Sequence, residues 1–229
     1  WFRWESASHE TDDGGYSFRP DAVSSGEAGR FVRVMGSELD ARWWGAIPDG
    51  SVDCLAPYLR CRDHAGRVDL YAAPPAIAFP PGALHYSFSG SVSLGGSYAG
   101  VPVRYRILQG AKFGGSGTVT LEGPCSVEST TVLHAGNPVH VLPSAVREAD
   151  LRWWLDSGET DVVTLICNVS ELYAPGVPLV LDLSPLGGSL TIDLSVTISA
   201  RLLMVPGSVL SVADGKTVAL DGGFEVRGE

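Results

Sequence analysis

Short runs of alternating apolar and polar residues dominate the chain, and glycine and proline separate one run from the next. The longest run covers residues 190–198, where apolar and polar side chains alternate for nine positions. A period of two is typical of β-strands that are buried on one face. Together with 28 glycines and 15 prolines, the pattern predicts many short strands joined by turns. Such strands suit the rungs of a β-solenoid or a β-sandwich, and periodicity does not decide between them.

Two segments depart from the strand pattern and predict short helices. The first follows Asp53, which is a suitable N-cap, and Pro57 is tolerated because it falls in the first turn. Its predicted apolar face consists of Leu55, Ala56 and Leu59. The second helix follows Asp161 as N-cap. Its predicted apolar stripe consists of Val162, Leu165, Ile166, Val169, Leu172 and Tyr173.

A five-residue pattern occurs twice, 110 positions apart. The segment 40–44 reads Asp-Ala-Arg-Trp-Trp, and the segment 150–154 reads Asp-Leu-Arg-Trp-Trp. Each copy is followed by Gly-x-x-Asp, at 50–53 and again at 158–161, and then by a predicted helix. Such recurrence predicts one structural unit used twice along an elongated body. The predicted structural motif comprises Trp43, Trp44, Asp49, Gly50, Asp53, Trp153, Trp154 and Asp161.

The simplest role for the doubled tryptophans is to seal the end of a β unit against its helix, since large aromatic residues are most often core or interface anchors. The two copies divide the chain into three predicted units. Residues 1–38 form a small N-terminal β unit, in which Phe2 and Trp4 alternate with polar neighbours. Residues 39–148 form a first β unit with its helix, and residues 149–229 form a second, degenerate unit.

Composition narrows the classes of function. The chain has 229 residues, 45% of them hydrophobic, so it can bury a substantial core. Its formal net charge is −10, and Lys112 and Lys216 are its only lysines. An acidic surface repels phosphate backbones and anionic lipid, so we predict no nucleic-acid partner. No uninterrupted apolar stretch approaches the length needed to cross a bilayer, so we also predict no membrane insertion. Because the sequence begins at Trp1 without an initiator Met, we expect it to be a piece of a longer polypeptide.

The residues that most often bind metals show no ligand spacing. The four cysteines, at positions 54, 61, 125 and 167, form no Cys-x-x-Cys pair, and we expect buried free thiols. The five histidines likewise lack the intervals of a metal site. We therefore predict neither a metal nor a cofactor.

The first copy of the repeat resembles a known family. Residues 42–53, Arg-Trp-Trp-Gly-Ala-Ile-Pro-Asp-Gly-Ser-Val-Asp, resemble the Trp-Phe-Gly-Ala-x-x-Asp-Gly-x-x-Asp segment that opens pectate-lyase-like right-handed β-helices, which are common in bacteriophage tailspikes and tail fibres. Residues 12–20 with 29–34 are similar to the segment that often precedes it. Residues 205–218 are similar to a strand-turn-strand piece of phage fibres. The chain departs from the family at 54–57, Cys-Leu-Ala-Pro, where an Ala-rich helix is usual.

The resemblance implies a mainly β fold, in which the N-terminal unit leads into right-handed parallel β-helix-like (solenoid) units with short capping helices. It also implies the structural or binding part of a phage tailspike or tail fibre, located in the virion and facing outward. The implied partners are two further copies in a homotrimer, other phage tail proteins and host-surface polysaccharide. No catalytic residue is carried over by these motifs, and we predict no reaction for this segment.

Two other functions remain open at this point. One is a polysaccharide depolymerase, a glycosidase or lyase, which needs two carboxylates flanking the scissile bond. The candidate pair is Asp182 with Asp193 on successive predicted strands, whereas turn and cap chemistry explains Asp49 and Asp53. The other is a secreted carbohydrate-binding module, which an exposed planar aromatic row including Trp1 or Trp4 would favour.

Overall fold

The structure is a computed structural model that describes residues 1–67, 75–95, 97–98, 100–128, 133–136, 139–155 and 161–226. Most of its regular structure is β, and most strand pairs are parallel, which confirms the mainly β expectation. The N-terminal strands are the exception. β1 (Phe2–Glu5), β2 (Ser17–Phe18) and β3 (Arg30–Arg33) form an antiparallel sheet in the order β1-β3-β2.

Three sheets follow in the first half of the chain. Their strands are β4 (Glu38–Asp40), β5 (Ala76–Phe79), β6 (Tyr86–Phe88), β7 (Val92–Leu94), β10 (Arg104–Ile107), β11 (Phe113–Gly115), β12 (Val119–Leu121), β13 (Cys125–Val127), β14 (His134–Gly136) and β15 (His140–Val141), with an antiparallel pair, β8 (Ser97–Tyr98) and β9 (Val101–Pro102), inserted after β7. The parallel sheets have the orders β4-β5-β10-β13, β6-β11-β14 and β7-β12-β15. The chain therefore visits three sheets in a fixed order and adds one parallel strand to each at every return.

The second half repeats this order of visits. Its strands are β16 (Ala149–Asp150), β17 (Leu179–Leu181), β18 (Ser189–Ile192), β19 (Val196–Ile198), β20 (Leu202–Met204), β21 (Val209–Val212), β22 (Val218–Leu220) and β23 (Phe224–Val226). They form the parallel sheets β16-β17-β20-β23, β18-β21 and β19-β22. The nine-residue alternating run at 190–198 is thus divided between two sheets, because the chain turns at 193–195 while the alternation continues.

The core lies between the sheets, where aligned positions of successive strands stack. Leu94, Leu121 and Val141 are register partners in β7, β12 and β15, and all three are fully buried. The intervening positions Ser93 and Thr120 are exposed and half-buried. This division explains the period of two, since each strand turns alternate side chains inward.

Helix α1 (Leu55–Ala65) packs its predicted face only partly against the core. Leu55 and Leu59 are half-buried against the core, whereas Ala56 is exposed. The fully buried side chains are Tyr58, Cys61, His64 and Ala65, none of which was in the predicted face. Tyr58 is buried because its hydroxyl donates to the Ser93 carbonyl at 2.8 Å and lies 3.0 Å from the Tyr105 hydroxyl. The Tyr58 hydroxyl is thus hydrogen-bonded, and the Tyr58 ring contributes apolar surface to the core.

The second helix changes its period partway. α2 (Val162–Asn168) begins after Asp161 and continues into a π-helix at Val169–Tyr173. Val162, Ile166 and Val169 are buried as predicted, but Leu172 is 63% exposed, so its place in the stripe was wrong. Because a π-helix has more residues per turn, a stripe drawn with a period of 3.6 leaves the buried face there.

Each of the three predicted units contains regular structure, whereas the boundaries between the units stay a prediction. The antiparallel sheet lies within 1–38, and the two copies of the tryptophan repeat start short 3-10 helices at Ala41–Trp44 and Leu151–Trp153. A third 3-10 helix lies at Ser184–Leu186. Residues 158–160, the first three of the second Gly-x-x-Asp, lie outside the described residues.

Candidate functional site: the two tryptophan turns

The first 3-10 helix with its flanking residues, 40–45, is here called tryptophan turn 1. Asp40, the last residue of β4, is its N-cap, and its carboxylate accepts the backbone N–H of Arg42 at 2.9 Å. The same carboxylate binds the Arg42 guanidinium, with 2.6 Å between Nη2 and Oδ2. The turn ends at Gly45, whose φ of +91° favours glycine.

Residues 150–155 form tryptophan turn 2, which repeats these contacts. Asp150 accepts the Arg152 backbone N–H at 2.9 Å and also binds the Arg152 guanidinium. In both places the turn follows a short strand and precedes a helix and a parallel strand, β4 with β5 and β16 with β17. The repeated sequence therefore encodes a repeated local structure.

The tryptophans of the turns are largely buried. Trp44 and Trp154 are each 2% exposed and Trp153 is 5% exposed, whereas Trp43 is half-buried. The ring centroids within each pair lie 6.4 Å and 5.8 Å apart. The indole N–H of Trp154 donates to the Val139 carbonyl at 2.9 Å, but that of Trp44 has no acceptor among the described residues. The two turns therefore differ in how well they satisfy a buried donor.

The acidic residues of the motif accept hydrogen bonds from turns. Asp49 accepts the backbone N–H of Ser51 at 2.8 Å, and Gly50 has a φ of +77°. Asp53 precedes the actual N-cap, Cys54, so its predicted place as the cap was one residue early. Its carboxylate nevertheless accepts the Leu55 N–H at 3.0 Å and the Ser89 hydroxyl at 2.6 Å. The Ser89 hydroxyl is the main reason that the pKa of Asp53 is lowered.

Asp161 caps the second helix as predicted. Its carboxylate accepts the backbone N–H of Thr164 at 3.0 Å, which is the standard geometry of an N-cap side chain. That hydrogen bond lowers the pKa of Asp161. The carboxylates of the motif are therefore held ionised in positions where they tie turns and helix starts.

The two catalytic candidates end strands of different sheets. Asp182 follows β17, accepts the Ser184 hydroxyl at 2.6 Å, and pairs with Arg152 Nη1 at 2.8 Å. Burial alone would raise the pKa of Asp182, but the Ser184 donors and Arg152 outweigh it and lower the pKa. Asp193 is exposed in the turn after β18. A carboxylate with a lowered pKa is poorly suited to be the general acid that glycoside cleavage needs.

The N-terminal unit contacts both tryptophan turn 1, through Arg33 over the Trp43 ring, and helix α1, through Asp13, and neither contact was predicted from the sequence. We call this region the N-terminal seam and define it by Asp13, Gly15, Arg33, Trp44 and His64. The Asp13 carboxylate lies 3.3 Å from His64 Nδ1, and His64 is 2% exposed. Arg33 donates to the Gly15 carbonyl at 2.9 Å. No pattern in the residues around Asp13 indicates a partner about fifty positions away in the sequence.

The N-terminal sheet turns aromatic side chains outward. Phe2, Trp4 and Phe31 are 42–47% exposed and share one face of the sheet. Trp4 and Phe31 are tilted by 59°, and Phe2 meets Phe18 edge-on at 86°. These rings are not coplanar, unlike the planar row that would favour a carbohydrate-binding module.

All four cysteines are free thiols, with Cys54 and Cys61 buried. In the part of the chain that the structure describes, no group of three metal-ligating side chains comes together. Within the same residues, no helix has the length and apolar character to cross a bilayer.

No family model, no curated protein and no solved structure matches this chain.

Proposed function

We propose that this chain is a right-handed parallel β-helix with short capping helices, and that it serves as a structural and binding part of a phage tailspike or tail fibre. The observation that carries the proposal is that the chain passes through three parallel sheets in a fixed order, once in its first half and again in its second half. A tryptophan turn stands at the start of each half of this pattern. Parallel crossovers are right-handed in the great majority of proteins, which supports the proposed hand. In this proposal the chain displays and docks other parts of the tail and catalyses no reaction.

The place of the chain in a virion rests on the sequence resemblance of residues 12–20, 29–34, 42–53 and 205–218 to phage tail proteins. In this proposal the N-terminal sheet faces other tail proteins, and the parallel stack leads toward the apparatus that attaches to host polysaccharide. The seam supports a fixed relation between the two parts. Glu10 pairs with Arg67 at 2.6 Å, and Arg33 lies 4.5 Å from the ring centroids of both Phe2 and Trp43.

A homotrimer is part of the proposal. Exposed aromatic residues on the N-terminal sheet and a mean hydropathy of +0.13 are compatible with extensive contact between chains. Closed rotational symmetry allows one surface to serve every copy without forming open filaments. Light scattering coupled to size-exclusion chromatography should give three times 24.1 kDa, and a mass of 24.1 kDa would contradict the trimer.

The role in the virion needs a separate experiment. Antibodies against the purified chain should label the tails of particles that carry it in immunogold electron microscopy, and labelling of heads alone would contradict the proposal. Incubation with capsular polysaccharide and lipopolysaccharide should release no reducing ends. Release that Asp182→Asn abolishes, and that the matched surface change Asp214→Asn leaves intact, would establish the depolymerase instead.

A further inference from the structure

A cleft lies in the interior of the sequence, where the strands of the first half meet those of the second. Its volume is about 550 Å³, and three segments line it, namely residues 124–126, 143–147 and 176–178. Every one of these residues is described by the structure. The volume falls within the usual range for sites that bind small molecules.

The cleft forms where a parallel ladder stops after one hydrogen bond. The Cys125 N–H, in β13, donates to the Ala145 carbonyl at 2.9 Å, as it would to a further parallel strand. Residues 146–148 then turn away, and the next strand, β16, begins only at Ala149 and pairs with β17 in a different sheet. The divergence leaves a gap between β13 and the residues that precede β17.

Backbone hydrogen bonds hold the walls of this gap in place. The Ala145 N–H donates to the Leu142 carbonyl at 2.9 Å, and the Val177 N–H donates to the Ala174 carbonyl at 3.1 Å. Each of the two loops is therefore closed on itself beside the cleft. A cleft with fixed walls binds a ligand without first having to order its own backbone.

Apolar side chains contribute to all three segments of the lining. They include the rings of Pro124, Pro143 and Pro178 and the side chain of Val177. Proline has no backbone N–H, so these positions present ring surface and no backbone donor. The exposed hydroxyl of Ser126 adds a small polar group. Apolar walls with a few polar groups are typical of sites that bind small organic molecules.

Arg147 is the one charged residue of the lining, and it is exposed. Arg42 and Arg152 each pair with a carboxylate of their own tryptophan turn. Within the part of the chain that the structure describes, no hydrogen bond or ion pair engages the Arg147 guanidinium. The next residue, Glu148, does not line the cleft. The cleft therefore offers a cation beside apolar walls and supplies no anion of its own.

We propose that this cleft binds a small organic carboxylate with an apolar body. The planar guanidinium of Arg147 pairs with the carboxylate, since its parallel N–H donors match the two carboxylate oxygens. The proline rings and Val177 contact the apolar body and remove it from water. The inference rests on the cleft alone and does not depend on a role in a phage tail.

Nuclear magnetic resonance of the nitrogen-labelled chain tests the proposal, with phenylacetate as the probe. The amide signals of residues 125–126, 144–147 and 176–177 should shift and saturate with a Kd of about 1 mM or lower. Arg147→Gln should weaken binding by about tenfold or more, because the charge-assisted hydrogen bonds are lost. The matched control, Arg104→Gln, changes another exposed arginine, which does not line the cleft, and should leave the Kd unchanged.

A second comparison needs no variant. Phenethyl alcohol has the same apolar body without the carboxylate, and it should bind the unchanged chain about tenfold more weakly than phenylacetate. Equal affinity for the two probes would overturn the proposal even if Arg147→Gln did not fold. Unchanged amide signals of β5 show that each variant remains folded.

Three other results would also overturn the proposal. The first is a set of shifts that is scattered over the surface or does not saturate by about 10 mM. The second is an equal loss of affinity in Arg147→Gln and Arg104→Gln, which would show non-specific attraction of anions. The third is tighter binding of glucuronate than of phenylacetate, which would assign the cleft to acidic sugars.

Discussion

Replacing Asp13 by asparagine, which exchanges a carboxylate for an amide of nearly the same shape, should weaken the N-terminal seam. The carboxylate Oδ1 accepts three backbone N–H groups, from Gly15 at 2.9 Å, Tyr16 at 2.7 Å and Ser17 at 3.0 Å. Its Oδ2 lies 3.3 Å from His64 Nδ1. Burial alone would raise the pKa of Asp13, but the His64 and backbone donors outweigh it and hold the pKa well below its ordinary range.

The magnitude follows from these contacts. A hydrogen bond to a charged acceptor contributes roughly 1.5–3 kcal/mol and a neutral one roughly 0.5–1.5 kcal/mol, so Asp13→Asn loses about 1 kcal/mol in each backbone bond. Over three bonds, the free energy of unfolding at pH 7 should fall by about 3 kcal/mol. Because folding lowers the carboxyl pKa, the stabilisation is complete above the unfolded value of about 3.9 and declines as the pH falls toward the folded value.

Urea unfolding followed by tryptophan fluorescence, with hydrogen exchange of the β3 amides, measures the effect. The difference in the free energy of unfolding between wild type and Asp13→Asn should shrink below about pH 4, where the Asp13 carboxylate begins to be protonated. Titration of Asp13 should leave this difference constant from about pH 5 upward. The matched control is Asp12→Asn, since Asp12 is adjacent in sequence but exposed. Equal losses in the two variants, or a loss under about 0.5 kcal/mol for Asp13→Asn, would refute the reasoning.

Three further predictions concern packing and reactivity. Trp154→Phe should lower the free energy of unfolding, measured by thermal unfolding, by about 1–3 kcal/mol more than Trp44→Phe does. The reason is that only the loss of the Trp154 indole leaves a buried carbonyl, that of Val139, without its donor. Equal losses in the two variants would contradict this. Gly15→Ala should destabilise by about 1–3 kcal/mol, since its Cβ would lie 2.3 Å from the indole of Trp44, whereas Gly26→Ala should be neutral. Burial raises the pKa of Cys125 to about 12, so iodoacetamide at pH 8 should label it slowly until denaturant is added, and rapid labelling of the folded chain would contradict this.

Part of the local structure of the candidate site was accessible from the sequence. Asp161 accepts the backbone N–H expected of a helix cap, whereas the capping roles of Asp40 and Asp150 became visible only in the structure. The helix faces were less accessible. Tyr58 is buried because of acceptors in distant strands, and Leu172 is exposed because the helix widens to a π-helix. Neither cause has a signal in the local pattern.

The sequence by itself determined the strand-rich character of the chain, the period of two within its strands and the capping of the second helix by Asp161. These features depend on interactions between residues a few positions apart, such as side-chain alternation and capping hydrogen bonds. Only the tertiary structure decided the parallel pairing and the Asp13–His64 contact at the seam. Those features depend on contacts between segments that are far apart in the sequence. The alternation of apolar and polar residues within one segment does not specify which other segment it pairs with.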